Sequence, residues 1–121
     1  MKSEKIAIFE SNEEFLTELK EYVSETDGLE VCAATENGNV AIDMIKRNSP
    51  TAAIVDLVLT GLDGFGVLDY IRENNPDCLT IAIGGFKDDK IVDQAIERGA
   101  VYYLAKPVSP QTVVDRIRDL S

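Results

Sequence analysis

Three segments of the chain end in residues that can do chemistry together. The apolar run KIAIF (5–9) leads into Glu10, Ser11 and Asn12, AAIVDL (52–57) carries Asp56, and VYYLA (101–105) runs into Lys106. A carboxylate at the end of an apolar strand is costly to leave unpaired. Two carboxylates with one lysine suit a small hard cation together with an anionic group. An aspartate is also a nucleophile toward phosphorus and gives an aspartyl phosphate. In that chemistry the cation offsets repulsion between the acids and the incoming phosphoryl group. The lysine binds a phosphoryl oxygen as a point charge. The plainer alternative is architectural, with Asp56 capping the loop that follows it and Lys106 forming a buried ion pair with it. Each residue alone fits that alternative. Their joint placement on three strand ends favours a site.

The elements that must position these residues can be read from periodicity. EEFLTELKEYVSE (13–25) places Phe15, Leu16, Leu19, Tyr22 and Val23 at helical spacing, with Ser11 or Asn12 as the cap. Asp27-Gly28 breaks that helix, and LEVCAAT (29–35) is the second strand. Gly38 to Asn48 reads as the second helix, stopped by Pro50, and 52–57 as the third strand. A glycine-rich loop, TGLDGFG (60–66), precedes a third helix over 65–74. LTIAIG (79–84) is the fourth strand and 88–99 the fourth helix, with Gly99 at its end. After VYYLA, Ser109 and Pro110 start a fifth helix, with Ser at the N-cap and Pro at the first helical position.

Five strand–helix pairs with short loops predict a doubly wound α/β domain with a parallel sheet. Strands 1, 3 and 4 are nearly continuous apolar runs, as expected when helices cover both faces. Right-handed crossovers bring the C-terminal ends of all five strands to one edge, where ligands bind in such sheets. That edge collects Glu10, Ser11, Asn12, Asp56, Gly84, Gly85 and Lys106. No internal repeat or linker is visible, so 1–121 reads as one domain without an attached output domain.

Composition excludes several functions. The chain has 121 residues and no histidine, which removes His-ligated zinc, His-based triads and His general bases. Its formal net charge of −10 argues against gripping nucleic acid directly, because phosphate contacts need clustered Lys and Arg. The acids concentrate in residues 1–36 and read chiefly as a solvated surface. Cys32 and Cys78 are too few for a disulfide scaffold and are expected to be buried free thiols in a reducing compartment. Lys2, Glu4 and Lys5 interrupt any signal-like start, and no apolar run approaches membrane-spanning length. The expectation is a cytoplasmic protein without a membrane association.

With these residues in place, the chain resembles the receiver domain of bacterial two-component response regulators. The resemblance spans essentially the whole chain. The family's phosphoacceptor block matches AAIVDLVLTGLDGFGVL, with Asp56 at the acceptor and Leu59, Leu62, Asp63 and Gly64 in place. Its terminal block matches GAVYYLAKP, with Lys106 as the phosphate-binding lysine and Tyr103 at the aromatic switch position. A narrower similarity is to the receiver of the sporulation master regulator, in the long acidic first helix. The resemblance implies a flavodoxin-like (βα)5 fold with strand order 2-1-3-4-5 and a cis Lys106-Pro107 bond. It implies Mg²⁺ held by Glu10, Asp56 and the Val58 backbone carbonyl, and phosphorylation by a histidine kinase or phosphotransfer protein. It also implies readout through helix 4, strand 5 and helix 5, and a domain that is not an enzyme beyond accepting its own phosphoryl group.

Departures from the family are specific. Ser11 replaces the second acid after strand 1, so the cation site loses a charge and Mg²⁺ should bind weakly or not at all. Thr60 replaces the usual proline, which should loosen the loop. Gly84 replaces the Thr or Ser that would meet the phosphoryl group, so Tyr103 is expected to lose the usual partner of its inward swing. Three readings compete. One is a phosphoryl-accepting receiver. A second is a pseudo-receiver that docks or dimerises without phosphorylation through Ile91, Val92, Ile96, Tyr102 and Val113, though most of these should be core. The third, a flavin carrier on the same fold, is disfavoured by the acids in ESNEEF where a phosphate loop would lie.

Overall fold

The structure is a computed structural model describing residues 3–121. Lys2, one of the charges that interrupt the start of the chain, lies outside them. Strands and helices alternate without exception: β1 (Glu4–Phe9), α1 (Glu13–Ser24), β2 (Leu29–Thr35), α2 (Gly38–Asn48), β3 (Ala52–Asp56), α3 (Gly64–Asn74), β4 (Leu79–Gly84), α4 (Asp89–Glu97), β5 (Tyr102–Ala105) and α5 (Pro110–Leu120). All pairings are parallel and the strand order is β2-β1-β3-β4-β5. This is the expected flavodoxin-like sheet.

Side chains alternate across a strand, so each central strand feeds both faces. On one face Ile6, Ile8, Ile54, Ile81 and Ile83 pack with Leu19, Val23, Val113, Val114 and Ile117 of α1 and α5. On the other, Ala7, Phe9, Ala53, Val55 and Ala82 pack with residues of α2, α3 and α4 such as Ile45, Leu68 and Ala95. β3 is buried at every position, which is why its sequence shows no polar alternation.

The caps decide where helices begin. Asn12 Oδ1 accepts the Phe15 N–H at 2.9 Å, so Asn12 and not Ser11 is the cap of α1. Ser11 is thereby left free for the site. Asp88 caps α4 and so lies outside the helix, while Ser109 caps α5 with Pro110 in its first turn. Lys106-Pro107 is cis, as expected.

Three expectations are corrected. The Thr60 loop is pinned, not loosened: the Thr60 N–H donates to the Glu36 carbonyl at 3.1 Å, a bond proline cannot make, and the Gly38 N–H returns to the Thr60 carbonyl at 2.9 Å. Cys78 is buried, but Cys32 is only half-buried on the outer strand β2. Of the five apolar candidates on α4, β5 and α5, only Val113 is core. Ile96 and Tyr102 are exposed, and Ile91 and Val92 are half-buried. α4 buries just Ala95 fully, because it lies over the outer strand β5.

Candidate functional site

β1 and β3 are neighbours, and both end at the edge where Lys106 leaves β5. Glu10, the residue after β1, is fully buried, and Asp56, the last of β3, is 2% exposed. Lys106 enters from the rim with 28% of its side chain exposed. Its Nζ donates to Glu10 Oε2 at 2.7 Å and to Asp56 Oδ2 at 3.1 Å. The Phe15 ring lies beside the ammonium, 5.9 Å from its centroid.

Asp56 is held on both oxygens. Oδ2 accepts the Ser11 N–H at 3.1 Å, the Ser11 Oγ–H at 2.5 Å and Lys106, while Oδ1 accepts the Val58 N–H at 3.0 Å. Gly64 packs directly behind the Asp56 carbonyl, and a Cβ there would sit 2.2 Å from that oxygen. Its glycine is therefore a condition of the acceptor's position. Both features of the architectural alternative, the Asp56 loop cap and the Lys106 ion pair, are present in this arrangement.

Environment separates the two acids. Burial raises the Glu10 carboxyl, and its bonds from Lys106 and the Asn12 N–H only partly offset that. Burial acts the same way on Asp56, but the donors from Ser11, Val58 and Lys106 together outweigh it and hold the carboxyl below its usual range. For Lys106, desolvation is overcome by Glu10 and Asp56, and the ammonium is held above its ordinary value. Asp56 is thus an ionised carboxylate over the whole neutral range.

The donor set is all oxygen, as a small hard cation requires. Glu10 Oε1 is buried with no hydrogen-bond partner and marks an unmet acceptor at this edge. Two carboxylates against one ammonium leave a single net negative charge. Among the described residues no group of three or more acidic, cysteine or histidine side chains could hold a metal. Glu10, Asp56 and the Ser11 hydroxyl on Asp56 are the oxygen donors gathered at this edge, two carboxylates and no third. A groove of about 450 Å³ opens beside it, lined by Asn12, Glu14, Phe15, Glu18, Lys106, Pro107 and Val108.

Gly84 ends β4, paired with Ala105. The usual side-chain hydroxyl is absent at position 84, and Tyr103 is held by backbone instead. Its Oη donates to the Phe86 carbonyl at 2.8 Å and accepts the Phe86 N–H at 3.2 Å. Phe86 was missed in the sequence because its contribution here is made by backbone atoms, which leave no residue-type signal. The same holds for the Asn12 N–H on Glu10.

A family model described as the response regulator receiver domain matches residues 6–118. Three solved structures illustrate the likeness. The signal receiver domain of a response regulator assigned as NarL from Mycobacterium tuberculosis is 22% identical, with a TM-score of 0.91 over 99% of this chain and 97% of that one. A DNA-binding response regulator of the LuxR family from Staphylococcus aureus is 23% identical, with a TM-score of 0.89 over 97% and 98%. The response regulator domain of Thermotoga maritima CheB is 16% identical, with a TM-score of 0.86 over 98% and 96%. At these identities the likeness to the solved structures is one of fold.

Proposed function

The chain belongs to the response regulator receiver family of two-component signalling, and from that premise we propose that it accepts a phosphoryl group on Asp56. The observation that carries this reading is the buried Asp56 carboxylate at the C-terminal edge of the sheet, 3.1 Å from the Lys106 ammonium. The donor is the phosphoimidazole of a histidine kinase or a phosphotransfer protein. An Asp56 oxygen attacks phosphorus, the P–N bond breaks, and the imidazole leaves as the P–O bond forms. Oδ1, with one hydrogen bond against three on Oδ2, is the freer nucleophile. Lys106 binds a phosphoryl oxygen as the charge on phosphorus rearranges. Glu10, Asp56, the Val58 carbonyl and the Ser11 hydroxyl would hold Mg²⁺ weakly, and the ion would further neutralise phosphoryl charge. The groove over Phe15 and Val108 gives the donor an approach beside Lys106.

The domain is an acceptor and not a catalyst for a separate substrate. A cytoplasmic setting suits its two free cysteines. Partners dock on α4, β5 and α5, where Ile96, Val101 and Tyr102 are exposed, and a second copy of the chain is one such partner. No helix among the described residues is long and apolar enough to cross a membrane.

A second reading is favoured by a specific observation. Ser11 spends its hydroxyl on Asp56, and Gly84 has no side chain to meet a phosphoryl group. A pseudo-receiver that binds partners without phosphorylation has these features. Intact mass after incubation with a small phosphodonor and Mg²⁺ separates the two. One added phosphoryl group, absent in Asp56→Asn, is the expected result. No addition to a folded protein, from the small donor or from a phosphorylated kinase, overturns the acceptor reading and leaves the pseudo-receiver.

A further inference from the structure

The β4–α4 connection carries a contact that the acceptor chemistry does not use. Tyr103 pairs with Ala82 in the β4–β5 register, so its side chain starts two residues below Gly84 and reaches past it. The hydroxyl then closes on both backbone groups of a single residue, donating to the Phe86 carbonyl and accepting the Phe86 N–H. This pair of hydrogen bonds to one residue acts like a rung of sheet added beyond the end of β4.

The seat for that hydroxyl exists because residue 84 is glycine. A Cβ on Gly84 would stand 2.9 Å from Tyr103 Oη, 3.3 Å from the Phe86 ring and 3.5 Å from Tyr103 Cε1. The first contact is closer than a Cβ normally comes, so alanine would make the Tyr103 hydroxyl, at the far end of its side chain, shift from its present seat. A hydroxyl-bearing side chain would also claim the space beyond. The missing side chain and the inward tyrosine are one feature, in which Tyr103 fills the volume that Gly84 vacates.

This matters for α4 because little else holds it. The helix buries only Ala95 fully. Its C-terminal end is tied to α3 by Arg72 Nη1 to the Glu97 carbonyl at 2.9 Å and by Arg98 Nη1 to Asp69 Oδ2 at 2.8 Å. Its N-terminal end has Phe86, two residues before the Asp88 cap, as its anchor, with the Phe86 ring packed on the core.

We propose that Gly84 and Tyr103 form a latch that holds the β4–α4 loop and the start of α4 in one arrangement, whatever the charge on Asp56. The inference rests on the reading of α4, β5 and α5 as the docking face, and it makes that face preset. A phosphoryl group on Asp56 finds no side chain at position 84 to pull, and the tyrosine it would release is already seated. Partner binding on this face is then set by the chain itself.

Amide hydrogen exchange resolved by residue tests this in the full chain. Tyr103→Phe removes one oxygen and keeps the ring, and Gly84→Ala adds one methyl under it. Both are expected to speed exchange at Phe86 by about fivefold or more and to loosen the first turn of α4, with the rest of the sheet unchanged. Asp56→Asn, and wild type treated with phosphodonor, are expected to leave residues 86–97 within about twofold of the untreated protein. Wild-type exchange at Phe86 in Tyr103→Phe overturns the latch. So does a change of more than about fivefold at 86–97 on altering or loading Asp56, since the loop then follows the acceptor. If Gly84→Ala fails to fold, Tyr103→Phe decides alone. Failure of the acceptor reading shows separately, as the absence of a mass shift, and leaves the two latch variants and Asp56→Asn fully informative.

Discussion

At the residue scale the site is a contest between burial and donors. Glu10 and Asp56 sit on adjacent strands and share Lys106, yet burial wins at Glu10 and hydrogen bonds win at Asp56. The sign of each follows. Asp56 is depressed in the fold, so it contributes stability above its unfolded pKa that is lost as pH falls through its folded value. Glu10 is raised, so its contribution is present below the unfolded carboxylate value and is lost as pH rises through its folded one. Glu10→Gln removes that second effect. Its stability relative to wild type, from urea midpoints between about pH 4 and pH 8, is therefore expected to improve as pH rises. A constant difference across pH would contradict the raised Glu10. Ser11→Asp tests the cation site. It is expected to raise Mg²⁺ affinity about tenfold or more by calorimetry, and to lower stability in metal-free buffer by putting a third acid around one ammonium. Asp56, Lys106 and Glu10 could be picked out from the sequence because an acid or base ending an apolar run is conspicuous. The hydroxyl of Ser11 on Asp56 could not, because the bond depends on Asn12 taking the cap.

At the element scale, local signals carried most of the boundaries. The apolar runs of β3 and β4 and the Ser109-Pro110 start of α5 were plain in composition. Asp88 was read inside α4 because its role as cap depends on backbone geometry that residue type alone does not specify. Thr60 was misread for a related reason. Its backbone N–H reaches across to Glu36, a contact 24 residues away that no local pattern reports. Gly64→Ala is expected to cost about 1–3 kcal/mol, because its Cβ collides with the Asp56 carbonyl and the Leu57 backbone. Ile54→Ala, in the fully buried centre of β3, is expected to cost about 2–5 kcal/mol by chemical denaturation. Equal, small losses in both would mean that β3 is not the rigid element under the site.

At the scale of the whole molecule, charge and the exposed α4–β5–α5 face set the behaviour. A net charge of −10 on 121 residues makes the compact state self-repelling. Raising salt from about 0.02 M to about 0.5 M shortens the screening length several-fold and is expected to raise the melting temperature in scanning calorimetry. A fall would mean that specific ion pairs outweigh the repulsion. If a second copy docks on the α4–β5–α5 face, Ile96→Asp is expected to abolish concentration-dependent sedimentation while leaving the melting temperature nearly unchanged, because Ile96 is 45% exposed. The amino-acid sequence by itself determined the alternation of strands and helices, the two-faced burial of the sheet and the edge to which Glu10, Asp56 and Lys106 come. Each of those follows from periodicity and handedness, which are local and repeat along the chain. The tertiary structure alone decided which acid is raised and which is depressed, that Thr60 ties two loops together, and that Gly84 seats Tyr103 instead of stranding it. Those outcomes depend on which atoms from distant segments fill one small volume, and side-chain volume and donor geometry are not written in any single stretch of sequence.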